Sequence, residues 1–462
     1  MKAIIVLLLL LGNTVLYAQE CDCKKKVDSV TAYLRKNYVG FIDKVNPVTQ
    51  QSYLSLLTKV STQASAARSY VHCLSLIHNY LRFFKDQHLF ITPAFTPGRE
   101  VVTPLPAQLE MLDKLPAGSV AGYYQSDSLK VALLKQPKGL RSYAAVVLPP
   151  GTPAWRPNEV IFELVARGRD KFDIINYGDW NKHPFDSLVI NKQRNDLVTL
   201  GWRPRGAADI HLTAAAPAFP DITPQGSYFR QLSDSLGYLR ISSMRAGDYD
   251  AVDSVLNAND EHIRKNNRLI IDIRGCDSGS YRIAERLRPV LYTQPVRIIG
   301  EDFFATPDNL AAWRQLLEAQ TNQLPDEYVE QLKEVLQQSA GLQGRLVSMG
   351  PDENMILPTP LLLPEKVAIL IDGTCREAAE LFLLEAKQSQ KVKLFGRPTA
   401  GVSDYGHTTN VKFFSPNFFL SYPVTRSRRV AAKQGIDNKG IIPDVTLDYS
   451  KGEWINEVIK NF

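Results

Sequence analysis

The residues best placed for chemistry lie between Lys366 and Tyr405, KVAILIDGTCREAAELFLLEAKQSQKVKLFGRPTAGVSDY. Val367 to Ile371 is a short apolar run, as expected of a strand buried on both faces, and Asp372-Gly373 breaks it. Ala378, Ala379, Phe382, Leu383 and Ala386 then recur at helical spacing, and Val392 to Phe395 reads as a second strand ending in Gly396-Arg397-Pro398-Thr399. A strand, a tight turn and a helix put the turn residues at a helix N-terminus. Unpaired backbone N–H groups there can hold a developing oxyanion, so the turn suits a nucleophile.

This stretch resembles the tail-specific, or C-terminal processing, serine peptidases, including their tricorn-core-like branch. Their elbow reads roughly small-x-Ser-x-Ala/Ser-Glu-x-Phe, followed by Gly-x-Pro-Thr-x-Gly. Cys375, Ala379, Glu380, Phe382 and Gly396-Arg397-Pro398-Thr399-Ala400-Gly401 keep that framework. The resemblance places the catalytic serine at Glu377 and the general-base lysine of the bacterial branch at Val402, and neither residue can perform the family's chemistry. Upstream, LIIDIRG at Leu269–Gly275 matches the family too, but its Asn-Gly-Gly-Gly type loop is Cys276-Asp277-Ser278-Gly279 here. By that resemblance Gly275, Cys276, Asp277 and Gly279, with Ala378 after the elbow, form the oxyanion and substrate loop. Fewer glycines should narrow and stiffen it, and Asp277 should bring negative charge to it.

Two further segments carry the resemblance. Asp86-Gln87-His88 is similar to the D-x-H segment that supplies the tricorn-like catalytic histidine, which makes His88 the candidate base. Asp437, ahead of Asn438-Lys439-Gly440-Ile441-Ile442-Pro443-Asp444, occupies the slot of a catalytic glutamate. Read without the family, His88 is a structural histidine at a helix-to-strand junction, and the Asp437 segment is a turn needing only its Gly and Pro.

Glu377 also has a reading from its neighbours. Thr374-Cys375-Arg376-Glu377 is Thr-x-x-Glu before an apolar helical run, the spacing of a capping box, so we expect Glu377 to cap the helix rather than attack a substrate. Cys375 is the one alternative nucleophile nearby, two positions upstream of the slot, where a small packing residue also fits.

The rest of the chain must position these residues. Its 462 residues, 44% hydrophobic, can bury a sizeable core in two or three domains. A net charge of +6 without basic stripes gives nucleic-acid binding no support. Residues 1–18 read as a signal peptide, with Lys2, the apolar run Ile4 to Leu11 and a cleavage site before Gln19, so the mature chain is expected to be exported, periplasmic or extracellular. No later stretch is long and apolar enough for a membrane span. Of five cysteines, Cys73 is expected to pair with Cys21 or Cys23, the spacing being wrong for zinc.

Residues 19–92 read as a helical N-terminal region, with Tyr70, Val71, Leu74, Ile77, Leu81 and Phe84 on one apolar face. Proline-rich stretches at 93–106 and 214–226 bracket a β-rich middle domain, 107–220, with strands near Ser142–Leu148, Val160–Val165 and Asp196–Leu200. Its Trp155, Trp180 and Trp202 are either core or a platform for peptide or sugar. The α/β domain follows at 227–462, with helices at 308–320 and 325–338 that could cover a cleft and a hairpin around Ser415-Pro416-Asn417.

The fold expected is therefore α/β, a crotonase-like or ClpP-like peptidase core behind a small helical region and a β-rich middle domain, as the resemblance implies. The function expected is that of an exported homologue of serine peptidases that has lost its nucleophile and holds a peptide or unfolded protein segment, without cofactor or metal. The alternatives are an active hydrolase using another nucleophile, and a carbohydrate- or protein-binding module. Oligomeric state is left open.

Overall fold

The computed structural model describes residues 22–67, 69–116, 119–126, 129–136, 139–168, 170–189, 202–204, 226–277, 279, 281–320, 324–413, 418–448 and 453–462. The signal-peptide segment, Cys21, the strand expected at Asp196–Leu200, most of the 214–226 linker, Ser278 and Ser415-Pro416-Asn417 lie outside the described residues.

A six-stranded sheet organises the C-terminal half. Its order is Val445–Thr446, Val392–Gly396, Lys366–Ile371, Arg268–Asp272, Leu236–Arg240 and Tyr228–Ser233. All neighbours are parallel except the last pair. Val367 to Ile371 and Leu269 to Ile271 are fully buried, which explains why both read as unbroken apolar runs: a parallel strand is covered on both faces. Helices Tyr249–Lys265, Arg282–Leu291 and Ala378–Ala386 contribute to the core on one face, and Trp454–Asn461 to the core on the other.

A second sheet orders Phe90–Pro93, Phe418–Ser427, Glu301–Ala305 and Arg345–Ser348, with Tyr405–Phe413 also on Phe418–Ser427. The hairpin expected around residue 416 is thus far longer than its central residues suggested. Helices Pro307–Gln320 and Asp326–Gln338 form at the expected places and pack on Glu301–Ala305 and Arg345–Ser348. Four N-terminal helices, Cys23–Asn37, Phe41–Lys44, Gln50–Ala66 and Tyr70–Leu81, share a core with this sheet. The first and last are bridged by Cys23–Cys73, with Cα atoms 5.4 Å apart, one of the two pairings expected.

The middle region is a seven-stranded antiparallel sheet, a six-strand meander from Gly122–Gln125 to Phe185–Val189 with Arg203–Pro204 paired on the outer edge of Gly122–Gln125. Its tryptophans form no platform. Trp180 is buried, stacks on Tyr177 and donates its indole N–H to the Phe95 carbonyl at 2.7 Å; Trp202 is buried against Phe162; Arg99 covers Trp155. The proline-rich stretch at 93–106 is also more than a linker, because Val101 bridges to Glu159 and helix Pro106–Asp113 begins within it. Among the described residues, no helix is long and apolar enough to cross a membrane.

Candidate active site

Glu377 sits at the junction of the central strand Lys366–Ile371 and helix Ala378–Ala386, with φ +52° and ψ −116°. These angles match the first central position of a type II′ turn, a place glycine takes without cost and other residues take only under strain. This overturns the expected capping box. The helix starts one residue after Glu377, so the carboxylate lies before the first turn and makes no cap bond. Thr374 is engaged elsewhere: its hydroxyl and its N–H both donate to Asp372 Oδ1, at 2.6 and 3.0 Å. The Thr-x-x-Glu spacing was met by a local turn on Asp372 instead of a helix start.

The Glu377 carboxylate is half-exposed and faces two groups from distant parts of the chain. His88 Nε2 lies 3.7 Å from Oε1, and the Gly279 N–H donates to the carboxylate. The neighbouring imidazole, followed by that N–H, holds the Glu377 pKa below the usual carboxylate range despite partial burial. Burial pulls the His88 pKa down, but Glu377, Asp86 and Asp437 outweigh it and raise the imidazole above its ordinary value. Both shifts favour the charged forms, an imidazolium beside a carboxylate. An ion-paired carboxylate is a weak nucleophile toward amides.

His88 is fixed from behind. Its N–H donates to Asp86 Oδ1 at 2.9 Å, and Asp86 Oδ2 accepts the Tyr38 hydroxyl at 2.7 Å, all three residues being buried or half-buried. His88 Nδ1 is 3.9 Å from Asp86 Oδ1, too long for a hydrogen bond. The structure thus brings His88 to Glu377, as the Asp-x-His segment implied. Asp437 reaches His88 only through its charge. Its own contacts are the Asp404 N–H at 3.1 Å and the Lys44 ammonium at 3.2 Å, and burial, ahead of the opposing Lys44 and the added repulsion of Asp404 and Asp86, raises its pKa to about 7. The raised pKa and the ion pair pull opposite ways. Burial outweighs the Lys44 ion pair, and the neighbouring Asp404 and Asp86 add to it.

The loop expected to line an oxyanion hole is closed down. Gly275, at φ +85°, donates its N–H to Asp372 Oδ1, and the Cys276 carbonyl accepts the Arg376 N–H, tying the loop to the elbow. A side chain at Gly279 would place Cβ 2.1 Å from the Met244 carbonyl oxygen, so this glycine is required. Asp277 does not charge the site as expected, because it turns to solvent and takes a two-pronged contact from Arg245, at 3.2 and 2.6 Å. Ala378 is buried as the first helical residue. Cys375 is excluded as a substitute nucleophile: it is fully buried, its thiol donates to the Ile273 carbonyl at 3.2 Å, and burial drives its pKa far up. Cys276 is equally buried, its pKa pushed up to about 12.

Sequence reasoning assigned no role to two residues, although Glu380 stood in the family framework. Glu380 is fully buried and collects four donors: Thr399 Oγ1 at 2.5 Å, Gly401 N–H at 2.6 Å, Val402 N–H at 3.0 Å and Ser403 Oγ at 2.7 Å. A glutamate near the start of the apolar run AELFLLEA, on the face that the helical period buries, was the available signal. Lys44 lies on a short helix far away in sequence, and nothing marked it.

Both raised groups bind protons more tightly folded than unfolded. The stability supported by Asp437 is present below about pH 4 and is lost as pH rises toward about 7, its folded value. His88 adds a loss in the same direction as pH climbs through its raised folded value, beginning near its ordinary value of about 6.5. We expect the unfolding midpoint to fall between about pH 4 and 7, and Asp437→Asn to flatten the profile over that range. A profile equally steep in the variant would show that Asp437 is not the titrating group.

The model of peptidase family S41 matches residues 235–447, which hold the elbow, its loop and Asp437. Mature CPAF complexed with lactacystin is similar in structure, with a TM-score of 0.51 at 14% identity over 95% of this chain and 97% of that one. A mutant of CPAF gives 0.51 at 13% identity over 95% and 96%. The photosystem II D1 C-terminal processing protease aligns at 0.36 and 11% identity over 92% and 93%. The CPAF likeness shows a shared fold extending over nearly the whole chain. No curated protein matches the sequence.

Proposed function

We propose that this chain, whose residues 235–447 match the model of peptidase family S41, is an exported member of that family that holds peptide segments without hydrolysing them. One observation carries the reading. The strained elbow is kept, yet its side chain is a carboxylate that occupies the space facing His88 and the Gly279 N–H. A peptide carbonyl entering that space meets negative charge where hydrolysis develops negative charge, which raises the barrier instead of lowering it. The residue at the lysine slot, Val402, is buried and offers only its backbone N–H, already given to Glu380. Export is supported by residues 1–18 and by the Cys23–Cys73 bridge, a bond suited to an oxidising compartment.

The purified mature protein is expected to leave casein and unstructured peptides intact over prolonged incubation, with no change on Cys375→Ala. Turnover that co-purifies with the protein and disappears in both His88→Ala and Glu377→Gln would overturn the non-hydrolytic reading and make the pair catalytic.

A further inference from the structure

A large cavity lies next to the Asp86-Gln87-His88 segment. It encloses about 810 Å³ between the end of helix Tyr70–Leu81, strand Phe90–Pro93 and the turn at residues 180–185 of the middle sheet. This exceeds the volume of most side-chain gaps and falls in the range of ligand sites.

Three features define what it can hold. Strand Phe90–Pro93 pairs with Phe418–Ser421 along one edge only, and no strand covers its other edge among the described residues. All four of its residues line the cavity, so an open strand edge forms one wall. Such an edge offers unpaired N–H and C=O groups to an extended chain. Phe90, 42% exposed, gives that wall an apolar face.

Charge supplies the selectivity. Lys85, just after residues 82–84, and Lys182, on the turn of the middle sheet, both line the cavity, both are exposed, and neither forms an ion pair among the described residues. Arg82 is already answered by Asp173 at 3.3 Å. The one carboxylate lining the cavity, Asp86, is buried and turned toward Tyr38 and His88. His78 is held neutral by burial, ahead of repulsion from Arg82 and Arg167, with its pKa lowered to about 4. The surplus is two ammonium groups without an ion pair among the described residues, in a cavity walled by an open strand edge.

We propose that this groove takes an extended acidic peptide segment, added as a strand to Phe90–Pro93 with its carboxylates between Lys85 and Lys182. The inference rests on the peptide-holding reading above and names its ligand class. Asn438, next in sequence to Asp437, lines the groove, its amide donating to the Lys85 carbonyl at 2.7 Å, and Asp86, which fixes His88, lines it too.

The test is calorimetric titration of the full mature chain with acetyl-Glu-Val-Glu-Val-Glu-Val-amide, and with the same peptide carrying Gln or Lys in place of Glu. The acidic peptide is expected to bind best, and Lys85→Glu combined with Lys182→Glu to weaken it by at least about tenfold. Raising salt from low to physiological strength should weaken binding in the wild type and not in the double variant. Methylating alternate amide nitrogens of the peptide should abolish binding, because a strand addition needs those donors. Circular dichroism of the double variant confirms that it folds. Equal binding of the Gln peptide, unaffected by the double variant, overturns the acidic groove while leaving peptide holding intact. If none of the three peptides binds, both readings fall.

Discussion

Glu380→Ala destabilises the peptidase-like domain by about 3 kcal/mol or more, the largest effect expected of any single substitution near the elbow. The side chain is fully buried and receives four donors on two oxygens, two of them backbone N–H groups of the Gly401-Val402 turn. Truncation strands all four in a site with little room for water, and each buried unsatisfied donor costs about 1–3 kcal/mol. Glutamine does not rescue the site, since its NH2 group would face donors where an oxygen now accepts. It should lose roughly half as much by the same reckoning. The consequence extends to the candidate site. Ser403 also contacts the Glu377 carbonyl, and Asp404, next in sequence, binds the Asp437 backbone N–H at 2.8 Å. Glu380 therefore anchors the turn on which the Asp437 side of the site is built. Urea unfolding of both variants measures this, and a loss below about 1 kcal/mol for alanine would mean the turn finds other partners.

The contrast between Glu380 and Glu377 shows what the sequence could and could not reveal. Val367 to Ile371 and Leu269 to Ile271 announced a parallel sheet because strands covered on both faces have no polar side to alternate with. The helix after the elbow was legible by period, but its first residue was not. One residue of uncertainty at the start decides whether Glu377 is a cap at the third helical position or a strained residue before the helix. Backbone angles are set by the strand, the turn on Asp372 and the helix together, and no local spacing encodes them. His88 was found only because Asp-x-His carries a resemblance; its distance to Glu377 depends on Tyr38 and Asp86 packing a helical region against the core. Lys44 and the groove wall at residues 180–185 come from regions with no shared motif, and only the folded chain brings them to Asp437 and to Phe90–Pro93. Asp277 failed as an electrostatic expectation because an exposed charge turns to the nearest partner, here Arg245.

Glu377→Gly is expected to be more stable than Glu377→Ala by about 1–2 kcal/mol, an order opposite to that of an ordinary helical position. At φ +52° and ψ −116° any side chain with a Cβ is strained, and such strain costs about 1–3 kcal/mol. Alanine keeps the strain and loses the His88 contact, a half-exposed pair worth about 0–1 kcal/mol. Glycine loses the same contact but relieves the strain, against a penalty of about 0.4–1 kcal/mol for the greater freedom of the unfolded chain. The difference between the two variants thus isolates the backbone, since both lack the carboxylate. Had Glu377 been a cap inside the first turn, its φ would be helical and glycine would be the worse substitute. Unfolding midpoints of the two variants measured in a His88→Ala background remove the His88 contribution altogether and should leave the gap unchanged. A glycine variant no more stable than the alanine variant would show that the elbow relaxes in solution. The carboxylate would then not be held against His88 and Gly279, and the physical basis for a blocked anion site would be gone.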